Sequence, residues 1–370
     1  MITYKDLGVR PVINAWGTVT RVGGSLMPEG VLSAMVEAGR HYVYIPELQD
    51  AAGRYIADKL GVEAAYISSG ASAGMTLAAA ACMGRQNPRI RSQLPDTSNC
   101  KSEIIAFRDM RNKYDQAFRV AGATLVEIGW SKGTEDWELE TAITEETAAV
   151  AYILEHAHPR GIPLDRIIQI AHERDVPVIV DAAAELPPVE NLWKFSHLGV
   201  DLTIFSGGKD ICGPQSTGLI VGRQDLIKSC AFHACPNHAV GRGMKVGKEE
   251  IMGFVNALDK YLQQDFDQEM KQWEDQVSYI VDSLSSIEGV FAKRVFPADP
   301  GIQPIYIPRV HVQWTPDVTE RSVTEIRDVL TDGEPCVIVG VSDDFLVINP
   351  QMLLEGQEQI VAECIKRALE

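Results

Sequence analysis

A chain of 370 residues is long enough for about two compact units with cores of their own. Hydrophobic residues at 45% and charged residues at 23% exclude a disordered or collagen-like chain. With 34 basic against 51 acidic residues, the net charge of −17 is the wrong sign for neutralising phosphates, so no nucleic-acid partner is expected.

No run approaches the ~18 unbroken apolar residues of a membrane span, and no basic region leads from Met1 into an apolar signal segment. A cytoplasmic protein without a membrane partner is the expectation. The seven cysteines are an odd number without C-x-x-C spacing, which suits free thiols in a reducing compartment. Cys230, Cys235 and His238 could ligate a metal, but no fourth ligand is evident and no metal is expected.

In chain order, residues 1–45 carry turn signals at Gly17, Gly23, Gly24 and Pro28 and read as an N-terminal arm. A helix over about 47–60 follows, with Ala51, Tyr55, Ile56 and Leu60 on one stripe and Gly61 as its stop. Short apolar strands are predicted at 64–68, 103–107, 123–127, 148–154, 176–180, 201–205 and 217–222, several of them apolar on both faces. Amphipathic segments such as 163–174 alternate with them, which predicts an α/β domain over 46–247 with a mostly parallel seven-stranded sheet. Residues 248–285 read as a nearly continuous connecting helix. Strands at 290–296, 305–313, 336–341 and 344–348, with helices near 319–330 and 356–369, then make a smaller C-terminal α/β domain over 248–370.

Three features fall at strand ends, where open α/β sheets bind ligands. Ser68-Ser-Gly-Ala-Ser-Ala-Gly74 leads into the all-apolar stretch Met75–Met83. The N-terminus of a buried helix made of small residues suits a phosphate, although a tight turn of small residues is the alternative. Asp181 ends an apolar strand, where a carboxylate needs a cation or donors; capping the next helix is the alternative. The third is Asp201-Leu-Thr-Ile-Phe-Ser-Gly-Gly-Lys-Asp-Ile-Cys-Gly213, in which a strand delivers Ser206, two glycines and Lys209. A partly desolvated lysine is an amine nucleophile, and an exposed surface lysine is the alternative. The spacing of a nucleotide phosphate loop fails, because Asp210 follows the lysine.

A phosphate cradle, a carboxylate for a ring nitrogen and an amine for an aldehyde are together the handles of pyridoxal 5'-phosphate. Their order matches the fold-type I arrangement of enzymes using that cofactor. Over nearly its full length the chain resembles the selenocysteine synthase-like (SelA-like) family of these enzymes, most of all the branch that includes D-glucosaminate-6-phosphate ammonia-lyase. The resemblance lies in Pro11-Val-Ile-Asn-Ala-Trp-Gly-Thr-Val-Thr20, the run from Glu47 through Gly74, Phe205-Ser-Gly-Gly-Lys209 with Gly213-Pro-Gln-Ser-Thr-Gly218, and Lys245-Val-Gly-Lys-Glu-Glu250. It departs from the pattern at Met110, where relatives carry a histidine before the Arg-Asn…Tyr-Asp run.

The resemblance implies that Lys209 carries the cofactor aldehyde and acts as catalytic base, and that Asp181 pairs with the ring nitrogen. It further implies that Gly70, Ala71 and Ser72 hold the phosphate with Ser206 as a further donor, and that the protein is a homodimer or larger homo-oligomer. The expected reaction is ammonia elimination from a 2-amino-3-hydroxy acid, giving a 2-keto-3-deoxy acid. A racemase, an aldolase or an aminotransferase is the alternative on the same scaffold, with selenocysteinyl-tRNA synthesis and a non-catalytic cofactor-binding protein further behind. Arg21, Arg111, Arg242, Lys245, Lys248 and Arg309 are candidate partners for an anionic substrate, and His156 and His158 candidates near the ring.

Overall fold

The computed structural model describes residues 1–130, 133–154, 161–298 and 303–370. Its strands in chain order are β1 (Val12–Ala15), β2 (Ala64–Ser68), β3 (Glu103–Phe107), β4 (Thr124–Ile128), β5 (Thr147–Ile153), β6 (Val178–Asp181), β7 (Leu202–Ser206), β8 (Gly218–Gly222), β9 (Val290–Val295), β10 (Arg309–Trp314), β11 (Cys336–Ser342) and β12 (Phe345–Ile348). The helices are α1 (Glu29–Gly39), α2 (Ile45–Leu60), α3 (Ala71–Gly84), α4 (Pro88–Gln93), α5 (Gln116–Val120), α6 (Asp136–Ala142), α7 (Leu164–His172), α8 (Asn191–Leu198), α9 (Gln224–His233), α10 (Lys248–Tyr261), α11 (Phe266–Ser285), α12 (Val323–Asp332) and α13 (Gln357–Leu369). Among the described residues no helix is long and apolar enough to cross a membrane.

The chain divides into a unit of Met27–Leu262 and a unit formed by Met1–Leu26 with Gln263–Glu370. In the first, seven strands form one sheet in the order β2-β8-β7-β6-β5-β3-β4. The ladders from β7 to β4 are parallel, and β8 runs antiparallel to both its neighbours. All seven residues of β5 are buried, as a strand covered on both faces requires. On one face α3 is buried from Ala73 to Gly84, with α5 and α9 packed beside it. Its alanines and Met75, Leu77 and Met83 share a core cluster with Ile104, Ile179, Ile204 and Ile220 of the sheet. A helix that carries almost no polar side chain is stable only when enclosed in this way.

In the second unit β1-β11-β12-β10-β9 form a sheet in which β1 pairs parallel with β11, Val12 opposite Cys336, and the other ladders are antiparallel. Val277, Ile280 and Leu284 of α11, Ile326 and Leu330 of α12, and Val361, Ile365 and Leu369 of α13 share its core cluster.

Three sequence expectations differ from this arrangement. Residues 12–15 of the expected arm are a strand of the second unit, because Val-Ile-Asn-Ala completes the β11 edge and the Asn14 carboxamide then turns the chain through the N–H groups of Trp16 and Gly17. The expected continuous helix over 248–285 is two helices. The Asp265 carboxylate takes the Gln268 N–H at 3.0 Å and starts α11 anew, beside the seam at Leu262/Gln263. The strand expected at 305–313 begins only at Arg309, whose guanidinium gathers the carbonyls of Gln303, Pro304 and Ile307 and holds that stretch as a loop.

At the amino edge of the large sheet the Asp201 carboxylate receives the Val178 N–H at 2.7 Å, His172 Nε2 at 2.8 Å and Arg223 Nη1 at 2.7 Å. Arg223 and Arg85 both continue to Asp225. A cavity of about 530 Å³ opens beside this clasp, lined among others by Val62, His172, Pro177 and Asp201. It lies at the opposite edge from the residues singled out as chemical. Asp201→Ala leaves the buried Val178 N–H without its acceptor and removes the Arg223 Nη1 and His172 partner, while Arg223 keeps Asp225. It is expected to lower stability by about 2–3 kcal/mol, read as a shifted urea midpoint with an unchanged slope.

Candidate active site

The register of the large sheet sets the separate sequence features side by side. Ser206 at the end of β7 stands opposite Gly218 of β8, and Gly218 stands opposite Ser68 at the end of β2. Asp181 at the end of β6 stands opposite Ile204, two residues before Ser206, and opposite Ile153 at the end of β5. The cradle, the carboxylate and the lysine loop therefore all leave the sheet at its carboxyl edge, where parallel α/β sheets present ligand sites.

The cradle is the start of α3. Gly70 is its N-cap in a conformation with φ of 109°, and the first intrahelical bond runs from the Gly74 N–H to the Gly70 carbonyl at 3.0 Å. The preceding N–H groups of Ala71, Ser72 and Ala73 have no carbonyl to meet within the helix, and the dipole adds its positive end there. Ser69, Gly70 and Ala71 are half-buried and Ser72 is exposed, so this end is reachable. The Ser68 hydroxyl donates to the Gly70 carbonyl at 2.9 Å and fixes the entry to the helix. Gly218 underlies the cradle: a Cβ there would stand 2.5 Å from the Gly70 carbonyl carbon and 2.7 Å from the Ala71 nitrogen.

Asp181 is buried at 7% exposure and accepts the Ala183 N–H through Oδ1 at 3.0 Å. Lys209 is half-buried in a loop that is folded tightly on itself. The Gly207 N–H donates to the Thr217 carbonyl at 2.8 Å, the Gly213 N–H to the Gly207 carbonyl at 2.9 Å, and the Cys212 N–H to the Lys209 carbonyl at 2.9 Å. A Cβ at Gly208 would lie 2.4 Å from Gln215 Cα, so only glycine lets the two limbs close. Asp210 is anchored from α10 by the Tyr261 hydroxyl at 2.6 Å, in a fully buried contact. The lysine thus sits on a clamped loop rather than a free one.

A helix end open to an anion, a buried carboxylate and a half-buried amine at one sheet edge fit the phosphate, ring nitrogen and aldehyde of pyridoxal phosphate. The model of the family described as aminotransferase class-V matches residues 66–342 of the chain. The chain belongs to this family. Pyridoxal 5'-phosphate is its cofactor, and the fold is the fold-type I α/β arrangement expected from the sequence.

Two curated relatives match over nearly the whole length. The 5'-C-glycyluridine monooxygenase-decarboxylase of a Streptomyces species is 32% identical over 97% of this chain and 90% of its own. The D-glucosaminate-6-phosphate ammonia lyase of Salmonella typhimurium is 29% identical over 99% of this chain and 98% of its own. A solved structure of D-glucosaminate-6-phosphate ammonia-lyase superimposes with a TM-score of 0.85, at 29% identity, covering 99% of this chain and 97% of that one. The resemblance read from the sequence to that branch is borne out.

The remaining candidates have varied placements. Arg111 is ion-paired with Asp115 and, at 2.5 Å, with Glu127, and Lys248 donates to the Ala38 carbonyl and to Glu249. Arg309 is 1% exposed, and burial pulls its pKa down to about 10 while three backbone carbonyls take its donors. Arg21, Arg242 and Lys245 are exposed. His156 and His158 lie outside the described residues. Sequence reasoning missed the Asp210–Tyr261 clamp, which joins positions 51 apart.

Gly218→Ala tests the cradle. Its methyl must push the Gly70–Ala71 backbone aside, so the purified variant is expected to stay folded while its cofactor affinity falls about tenfold or more, read by absorbance titration with pyridoxal phosphate.

Proposed function

We propose that the chain is a pyridoxal-phosphate-dependent ammonia-lyase acting on a 2-amino-3-hydroxy acid, with D-glucosaminate 6-phosphate as the model substrate. The observation that carries this reading is the full-length match to a D-glucosaminate-6-phosphate ammonia-lyase structure in a chain that keeps the cradle, Asp181 and Lys209 at one edge. When bound, the cofactor withdraws electrons from the substrate Cα and makes its proton acidic. The N-terminus of α3 around Gly70, Ala71 and Ser72 would hold the phosphate with Ser206 beside it, and Asp181 would keep the ring nitrogen protonated. Lys209 would hold the cofactor aldehyde, and its Nζ, once free, would take the Cα proton. The β-hydroxyl would leave with a proton as water, and one water would be consumed in releasing ammonia. The balance is a 2-amino-3-hydroxy acid converted to ammonia and a 2-keto-3-deoxy acid, with no net water or redox change.

The Streptomyces relative favours a second reading, in which the bond broken at Cα is the one to the carboxylate and dioxygen is consumed. Both begin with the same handles. They differ in products, which makes them separable in one assay.

The proposed assembly is a homodimer or larger homo-oligomer. Leu32 and Val36 on α1 and Tyr42, Val43 and Tyr44 after it are exposed apolar side chains close together in sequence, as an interface between copies would use. The net charge of −17 supports a small-molecule substrate rather than tRNA.

The deciding measurement is ammonia and 2-keto acid release from D-glucosaminate, with and without its 6-phosphate, alongside dioxygen uptake. Stoichiometric ammonia and keto acid without oxygen uptake is expected, with kcat reduced about 10³-fold or more in Lys209→Ala. Oxygen uptake with carbon dioxide release would replace the lyase by the second reading.

A further inference from the structure

Lys209 opens a four-residue turn that is closed by the Cys212 N–H on the Lys209 carbonyl at 2.9 Å. The two central residues, Asp210 and Ile211, are buried at 7% and 2% exposure, and Cys212 follows with φ of 56°. One stripe of α10 runs along the whole loop. Glu250 accepts the Ser216 hydroxyl at 2.8 Å, and a Cβ at Gly253 would stand 2.8 Å from the Pro214 ring. A Cβ at Gly207 would stand 2.7 Å from the Phe254 ring, and one at Gly213 would lie 3.4 Å from Ala257. Tyr261, one turn further, is 2% exposed and donates its hydroxyl to the Asp210 carboxylate at 2.6 Å. The helical period puts 250, 253, 254, 257 and 261 on one face.

The apolar contacts set how deep the loop lies, since burial carries no direction. The bond from Tyr261 does carry one, and its length is that of a hydroxyl donating to a charged acceptor. It falls on the residue next to Lys209, inside the turn that orients the Lys209 Cα–Cβ bond. Without the phenol the buried carboxylate is short of one donor, which favours settings of the turn that bring Asp210 to water. We infer that Tyr261 is a positioning residue: through Asp210 it holds the turn in the setting that presents the Lys209 amine to the cofactor aldehyde and the substrate Cα. This rests on the reading of Lys209 as the cofactor lysine and base. The contribution is geometric, and placing a reacting amine within an ångström is worth large factors in rate.

The test compares full-length wild type, Tyr261→Phe, Asp210→Ala and the double variant, with Asp201→Ala as a control that loosens the opposite edge. Two readouts need no turnover. Hydrogen exchange at the Cys212 amide reports opening of the turn. It is expected to rise about tenfold or more in Tyr261→Phe and to stay within about twofold of wild type in Asp201→Ala. Protein freed of cofactor is then mixed with pyridoxal phosphate and quenched with borohydride at intervals, and labelled Lys209 is measured by peptide mapping. Labelling is expected to slow about tenfold in Tyr261→Phe, as much in Asp210→Ala, and no further in the double variant. In the ammonia assay, kcat of Tyr261→Phe is expected to fall about tenfold with KM within about twofold.

Exchange and labelling in Tyr261→Phe within about twofold of wild type overturn the inference. A double variant slowed by the product of the single effects does so too, because Tyr261 then acts by a route other than Asp210. Equal changes in Asp201→Ala assign the effect to general loss of stability and likewise overturn it. Asp210→Asn keeps an acceptor for the phenol and is expected to label within about threefold of wild type. If it labels as slowly as Asp210→Ala, the inference falls even where Tyr261→Phe does not fold. Label on a lysine other than Lys209 overturns both this inference and the reading beneath it. No ammonia from wild type, with the exchange and labelling differences intact, removes the lyase reading and leaves the placement of Lys209 by Tyr261 standing.

Discussion

The constraint on which the rest depends is the contact between the backbone of Gly70–Ala71 and Gly218. It brings the open end of α3 down onto the sheet one strand away from Ser206. No side chain intervenes, so the position of the cradle relative to the lysine loop is set by covalent geometry and ladder register rather than by rotamers. The same principle governs the loop itself, where Gly208 against Gln215 and the Gly207–Thr217 bond leave Lys209 little freedom beyond its own side chain. Rigid placement of reacting groups on elements rather than on mobile loops is what positional catalysis requires.

The large sheet was legible in the sequence because buried parallel strands announce themselves as short runs apolar on both faces, as in Ala-Ala-Val-Ala-Tyr-Ile at 148–153. The handles at strand ends were legible for a related reason: Asp181 and Lys209 are polar groups placed where an apolar run stops. The seam between units was not. Residues 262–265 carry neither glycine nor proline, and the break there comes from a side-chain cap at Asp265, a signal easily lost inside a helical pattern. Strand β1 was equally hidden, since a four-residue strand 324 positions from its partner has no local periodicity to reveal it. Arg309 shows the limit from the other side. The sequence marks it as a cation on a strand, but only its burial and its three carbonyl acceptors show that its donors are engaged by the chain itself.

The two edges of the large sheet are built on opposite terms. At the amino edge Asp201 is a buried carboxylate surrounded by donors, with a backbone N–H, an imidazole and a guanidinium, and it ties the starts of β6 and β7 to the end of β8. At the carboxyl edge Asp109 is a dry carboxylate with none among the described residues. Saturating a buried charge with protein donors converts its desolvation cost into cohesion, as Asp201 does at the amino edge.

That asymmetry also bears on how a family of related enzymes can share handles and differ in reaction. Asp181 and Ser206 are themselves paired residues at the ends of β6 and β7, so strand register fixes their backbone. The turn after β3 is under no such restraint, because Asp109 and Met110 lie beyond the last paired residue, Phe107. Substitution there leaves the paired residues of the sheet in place. A relative named for decarboxylation and one named for ammonia loss both match this chain over nearly its full length, so likeness in fold and in sequence over the whole chain leaves the reaction to be settled by the groups at the site.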